Sequence, residues 1–135
     1  MFTRVNIARR ATLLTVDQDA TRSYYAQSLI DDCPCPYCPF FRGRVAAAHP
    51  ELAEQLSALG IDISQPFDLP LPHEEDGVSH YDYATYIVMG TWTTADAAAV
   101  TACELETTDS HPRTGIDAEH SVILVGPFAI PGTVD

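Results

Sequence analysis

The sequence has no lysine and few basic residues of any kind. Its seven basic side chains are all arginines, and 19 acidic side chains give a formal net charge of −12. Without a lysine amine, Schiff-base chemistry and a lysine general base are excluded. Nucleic acids and anionic membrane surfaces attract dense positive patches. We therefore expect neither nucleic acid nor a membrane among the partners.

Long apolar runs are also missing. No stretch approaches the ~18 apolar residues that a membrane-spanning helix needs. Residues 1–10 have no uninterrupted apolar segment, so they do not resemble a signal peptide. We expect a cytoplasmic protein, whose cysteines stay reduced in that compartment.

Several catalytic motifs are absent as well. The sequence has no G-x-S-x-G nucleophile elbow, no G-x-x-x-x-G-K-[ST] phosphate loop and no G-x-G-x-x-G dinucleotide motif. Nothing therefore indicates a hydrolase triad or a nucleotide site. The sequence favours a non-catalytic role.

The overall amino-acid composition is typical of a folded protein. The 135 residues include 46% hydrophobic residues, which is ordinary for a globular protein. A chain of this length can bury a sizeable core and usually forms a single domain. We expect residues 1–135 to form one globular domain.

Hydrophobic spacing predicts an α+β fold. Apolar residues recur with helical period from Phe41 to Leu59. Pro50 divides this stripe into two helices, with a fresh start near His49, and Gly60 ends the second one. We expect a turn at His73–Gly77 and strands at Thr3–Val16, Tyr24–Ile30, Tyr81–Trp92, Cys103–Thr107 and Ser121–Ile130. This order predicts a mainly antiparallel sheet with a short helical pair packed on one face.

The most unusual segment is a cysteine cluster, and one interpretation of it is redox chemistry. The tetrapeptide Cys35-Pro36-Tyr37-Cys38 is identical to the glutaredoxin active-site motif and precedes the predicted helix, whose N-terminus would stabilise a thiolate. Cys35 would be the nucleophile and Cys38 the resolving thiol. Against this, Asp31 and Asp32 would raise the pKa of a nearby thiol. Glutaredoxins also place the motif after a buried parallel strand, which this sequence does not predict.

A second interpretation is a metal site. Cys33, Cys35 and Cys38 form a C-x-C-x-x-C pattern whose thiolates could converge on one zinc ion. The fourth ligand would be Cys103 or a histidine. A structural zinc site usually has two separated cysteine pairs, so a single cluster is a weaker signal.

A third interpretation, which we favour, is core packing. Cysteine is among the most buried residue types and packs as a small hydrophobic side chain. Pro34, Pro36 and Pro39 would hold an extended lead-in to the helix. The cysteines would then need no metal or other cofactor and would perform no catalysis.

Around this segment the chain resembles a known group of proteins. Asp32-Cys33-x-Cys35-x-x-Cys38 precedes a short helix, Leu59-Gly60-Ile61-Asp62 and Pro66 follow it, and a tyrosine-rich strand ends at Gly90. Over Tyr24–Gly90 the chain is similar to small uncharacterised bacterial and prophage-associated proteins. The resemblance implies an intracellular bacterial domain, disfavours a glutaredoxin, and implies no activity, cofactor or site residue.

Together these features predict a non-catalytic binding or interaction module. The six tyrosines suggest a partly apolar, tyrosine-containing surface that contacts a second copy of the chain or another protein. The alternative is a thiol–disulfide oxidoreductase that uses Cys35 and Cys38.

Overall fold

The computed structural model describes residues 15–27 and 35–134. Four helices and six strands lie within these ranges, which confirms the predicted α+β class. The helices are α1 (Gln18–Tyr25), α2 (Tyr37–Ala48), α3 (Pro50–Ala58) and α4 (Thr94–Ala98). The strands are β1 (His73–Glu75), β2 (Val78–Tyr81), β3 (Ala84–Met89), β4 (Glu104–Thr107), β5 (His120–Gly126) and β6 (Phe128–Pro131).

The strands form two three-stranded antiparallel sheets, in the orders β1-β2-β6 and β3-β5-β4. The pairing register continues from one sheet into the other. Tyr81 pairs with Phe128, and Ala84, three residues later, pairs with Val125, three residues earlier. At the interruption the backbones lie so close that a Cβ atom on Gly126 would be 2.6 Å from the Asp82 carbonyl oxygen. The sheets are therefore consecutive parts of one long ribbon, with β1 added on one side and β4 on the other.

The predicted helical pair is confirmed. Helix α2 ends before His49, and Pro50 begins α3 at a position where its missing N–H costs nothing. Gly60, with φ of +91°, follows the last turn of α3. The N–H groups of Gly60 and Ile61 donate to carbonyls of that turn at 2.9 Å, a glycine-dependent helix end. Helix α2 packs against both α3 and β6.

The strand predicted at Tyr24–Ile30 is wrong over its described part, because α1 extends to Tyr25. The Asp17 carboxylate caps this helix by accepting from the Ala20 N–H at 2.9 Å. Thr21 and Tyr25, one turn apart, are both buried. The strand predicted at Thr3–Val16 lies outside the described residues except for 15–16.

Two further boundaries differ from the prediction. The segment His73–Gly77 is not only a turn, because its first three residues form β1. The turn itself is Asp76 and Gly77, both with positive φ (54° and 76°), as a two-residue hairpin turn requires. The strand predicted at Tyr81–Trp92 corresponds to β3, and only its first residue belongs to β2, because the interruption of the ribbon falls at residues 82–83.

Strand β3 is buried on both faces although it lies at one side of its sheet, in which β5 is the central strand. Its outer edge is nevertheless covered. Thr85 exchanges backbone hydrogen bonds with Phe67 and Asp68. The backbone groups of Ile87 and Met89 bond to residues of helix α1 and its N-cap. No helix in the described ranges has the length and apolar character needed to cross a membrane.

Candidate functional site at the start of helix α2

The start of α2 holds two of the predicted site residues. Cys35 directly precedes Pro36, the N-cap of the helix, and Cys38 lies in the first turn. Both side chains are half-buried. The first turn contains no acidic residue, so no negative side chain there offsets the positive end of the helix dipole. Cys33, the third residue of the predicted cluster, lies outside the described residues.

A buried tyrosine lies beneath these cysteines. The Tyr81 ring is fully buried, and its hydroxyl donates to the Tyr37 carbonyl oxygen at 3.1 Å. Burial, followed by the proximity of Cys38 and Cys35, raises the pKa of Tyr81 to about 12. The phenol therefore stays protonated at neutral pH and helps to hold the first turn of α2 on strand β2.

Cys103 lies elsewhere, just before β4. Its side chain packs against the hydrophobic core, and its thiol is 3.7 Å from the Pro127 carbonyl oxygen. Burial raises the pKa of this thiol, which favours the protonated form. The structure does not bring Cys103 together with Cys35 and Cys38, and the described parts of the chain contain no group of three or more metal-ligating side chains. A zinc site that includes Cys33 stays a prediction.

An open groove of about 560 Å³ borders the same helix. It lies between the N-terminal half of α2 and the segment that follows β6. Its lining is predominantly apolar. The lining residues are Pro36, Pro39, Phe40, Gly43, Arg44, Thr133 and Val134.

The groove contains an aromatic ring with a cation over its face. Phe40 and Arg44 are one helical turn apart on α2, and the guanidinium carbon lies 4.5 Å from the ring centroid. Arg44 is exposed, and no carboxylate of the described residues forms an ion pair with it. Aromatic side chains, phenylalanine included, and arginine are enriched at protein interfaces. This pair is not among the residues predicted above, although its i, i+4 spacing is visible in the sequence.

Three of the six tyrosines do not contribute to a surface. Tyr25, Tyr81 and Tyr86 are at most 4% exposed. The Tyr25 hydroxyl donates to the Ile87 carbonyl oxygen, and the Tyr86 hydroxyl donates to the Ile63 carbonyl oxygen. The expectation of a tyrosine-containing surface is therefore wrong for these side chains, whose hydroxyls hold elements together inside the fold.

The chain matches no protein-family model, no curated protein and no solved structure. The resemblance to small bacterial and prophage-associated proteins therefore stays a prediction.

Proposed function

We propose that the protein is a non-catalytic interaction module whose groove binds a segment of another protein. The observation that supports this most strongly is the Phe40–Arg44 pair, a half-buried ring under an exposed guanidinium, in a predominantly apolar groove. Apolar and aromatic area provides affinity when water is displaced, and a guanidinium provides specificity for a carboxylate.

The charge of Arg44 indicates the chemistry of the bound segment. The chain carries a net charge of −12, yet this guanidinium lacks a carboxylate partner in residues 15–27 and 35–134. A partner with an Asp, a Glu or a terminal carboxylate would supply the missing charge, and an adjacent apolar side chain would contact Phe40. Small hydrophobic segments that carry one carboxylate fit both features.

A second copy of the chain fits less well. Two copies with a charge of −12 each repel one another. Addition of a strand from a second copy to β1 or β4 is also disfavoured, because exposed glutamates line both of these outer strands. These side chains are Glu74 and Glu75 on β1 and Glu104 and Glu106 on β4. The same negative charge disfavours nucleic acid and anionic membranes as partners.

A selection from random dodecapeptides with free C-termini tests this proposal. We expect enriched peptides to combine a carboxylate with a neighbouring large apolar side chain. Their affinity should fall about tenfold in Arg44→Gln, which removes a charge-assisted hydrogen bond, and similarly in Phe40→Ala. Arg113→Gln is the matched control, because Arg113 is an exposed arginine outside the groove.

Three results would contradict the proposal. One is a selection that enriches no peptide above the unselected pool. Another is a set of enriched peptides that bind Arg44→Gln and Phe40→Ala as tightly as the unmodified protein. The third is a dimer in light scattering that Phe40→Ala dissociates, since the groove would then hold a second copy.

The position of Cys35 and Cys38 favours a second candidate, thiol–disulfide exchange. The Cys35 thiolate would attack a substrate disulfide and release one thiol. Cys38 would then attack the mixed disulfide, releasing the second thiol and leaving a Cys35–Cys38 disulfide. The antiparallel sheets argue against it, because the described residues contain no parallel strand pair of the kind that precedes the motif in glutaredoxins.

Reduction of hydroxyethyl disulfide by the protein, with glutathione present to reduce the Cys35–Cys38 disulfide again after each cycle, distinguishes the two candidates. An interaction module should show no turnover above a Cys35→Ser variant. Turnover that Cys35→Ser abolishes and Cys103→Ser retains would establish the oxidoreductase instead.

We also propose a cytoplasmic, bacterial setting. The support is that Cys35 and Cys103 are not in disulfides, as is usual in a reducing compartment. The bacterial origin depends on the resemblance stated above.

A further inference from the structure

A second pocket, with a mainly polar lining, lies where β4 ends and β5 begins. Its volume is about 350 Å³, which is at the small end of the range of ligand pockets. Trp92, the only tryptophan of the chain, lines it together with Asp109, His111 and His120. Hydroxyl-bearing residues complete much of the wall; they are Thr107, Thr108 and Ser121.

His111 offers the pocket a hydrogen-bond acceptor. Its Nδ1 lies 2.7 Å from the Pro112 carbonyl oxygen and must donate to it. In the neutral ring Nε2 is then left as an acceptor, and it has no partner among the described residues. The ring is held in place by an edge contact with Phe67, at a centroid distance of 6.3 Å.

Hydrogen bonds hold His120 in place as a wall of the same pocket. Its Nδ1 donates to the Ala118 carbonyl oxygen at 2.8 Å. Its Nε2 is therefore the acceptor in the neutral ring and receives the Thr114 hydroxyl proton at 2.9 Å. Both nitrogens have partners within the protein, so this ring shapes the pocket and offers a ligand no free acceptor.

The Asp109 carboxylate supplies the negative charge. It is exposed and forms neither a hydrogen bond nor an ion pair within the described ranges. No arginine lines the pocket. A ligand here meets a carboxylate, an imidazole acceptor and hydroxyls, in the field of a chain with net charge −12. Phosphates and carboxylates are repelled, whereas cations are attracted.

We propose that this pocket binds a small organic cation, an ammonium or guanidinium compound. Such a group has only hydrogen-bond donors, which match the Asp109 carboxylate and the His111 acceptor. An indole ring adds a cation–π attraction, and tryptophan is the aromatic side chain best suited to it. This inference is independent of the peptide-binding groove, because the two sites share no residue.

Trp92 makes the test direct, since all tryptophan fluorescence comes from this pocket. The probes are butylammonium and agmatine, with 1-butanol as the neutral compound of matching shape. We expect a saturable change in fluorescence with both cations and none with 1-butanol. Asp109→Asn should weaken binding about fivefold or more, as loss of a charge-assisted contact implies. Asp117→Asn is the control, because it removes one exposed carboxylate from the same loop outside the pocket.

The proposal is overturned by any of three results. The fluorescence could fail to saturate with either cation. 1-Butanol could produce the same saturable change, which would show an apolar site. Asp117→Asn could weaken binding as much as Asp109→Asn, which would show attraction to the net charge alone. Circular dichroism of each variant confirms that it is folded before the titration is interpreted.

Discussion

At the scale of single residues, the Tyr25 hydroxyl makes the hydrogen bonds that a neighbouring strand would otherwise make with Ile87 of β3. It donates to the Ile87 carbonyl oxygen and accepts from the Ile87 N–H, both at 2.9 Å. In a wider sheet these two backbone groups would bond to a neighbouring strand. Here one side chain from α1 satisfies both, which explains how β3 can be buried at the side of its sheet.

Tyr25→Phe should therefore cost more stability than the loss of one ordinary hydrogen bond. Both backbone groups of Ile87 would be buried without a partner, at about 1–3 kcal/mol each. We expect the free energy of unfolding in urea to fall by about 2–4 kcal/mol. Tyr24→Phe is the control, because the described residues give its hydroxyl no hydrogen bond, and it should change stability by less than about 0.5 kcal/mol. Equal effects of the two substitutions would contradict this account.

Asp96 is a second residue whose side chain connects distant parts of the chain. It is fully buried, and its carboxylate accepts from the N–H and hydroxyl groups of both Thr15 and Thr93. Burial acts to raise the pKa of Asp96, but hydrogen bonds from Thr15, Thr93 and Val16 together hold it below its usual value. The spacing Thr93-x-x-Asp96 is a capping-box pattern, so this signal was available in the sequence.

Asp96→Asn should destabilise the fold by about 2–4 kcal/mol at pH 7, because an amide cannot accept from all of these donors. Since the pKa is lowered on folding, the stabilisation is present above pH ~4 and is lost as the pH falls through the folded pKa. The difference between the two proteins in urea unfolding should therefore shrink below pH ~4. Asp117→Asn, at an exposed position, should show neither effect; a difference that is constant with pH would contradict the assignment.

At the scale of elements, local signals determined which predictions succeeded. The pair α2–α3 could be predicted because the apolar stripe, Pro50 and Gly60 all indicate the same boundaries. Helix α1 could not, because its consecutive tyrosines favour a strand, and the helix depends on the contact of Thr21 and Tyr25 with β3. Propensity is a weak guide where such tertiary contacts decide the conformation.

Gly60→Ala tests the junction of these helices. A Cβ atom at this position would lie 2.6 Å from the Gln18 carbonyl oxygen, and φ is +91°. We expect a loss of about 2–4 kcal/mol in urea unfolding, from backbone strain and the displacement of α1. Gly43→Ala is the opposite case, because it lies inside α2 with nothing within 4 Å of the added atom. It should stabilise by about 0.5–1 kcal/mol, and a loss at both positions would contradict the argument.

At the scale of the whole molecule, the candidate site depends on contacts that the sequence does not reveal. The cysteine motif could be placed at a helix start from its proline pattern. The groove could not be predicted, since one of its walls comes from Thr133 and Val134, far from α2 in sequence. The division of the ribbon into two sheets was equally hidden, because it depends on how Asp82 and Gly126 approach each other.

Alkaline pH probes the fold as a whole, because buried phenols connect several of its elements. Burial raises the pKa of Tyr81 to about 12, and burial also raises the pKa of Tyr25 and of Tyr86 above the usual value of a phenol. In the unfolded chain tyrosine ionises near pH ~10. Above that pH the unfolded chain has lost protons that the folded protein retains. The free energy of unfolding should therefore stay level below pH ~9 and fall above pH ~10, by up to ~1.4 kcal/mol per pH unit for each of these tyrosines.

Urea unfolding between pH 8 and 11.5, with absorbance at 295 nm to follow tyrosinate, measures this decline. Part of the tyrosinate signal should develop only together with the loss of the far-ultraviolet circular dichroism of the fold. Tyr86→Phe should make the decline of stability with pH less steep, since one of the contributing phenols is gone. If the complete tyrosinate signal developed near pH 10 while the circular dichroism kept its native value, the buried hydroxyls would not be holding α1, β2 and β3 together.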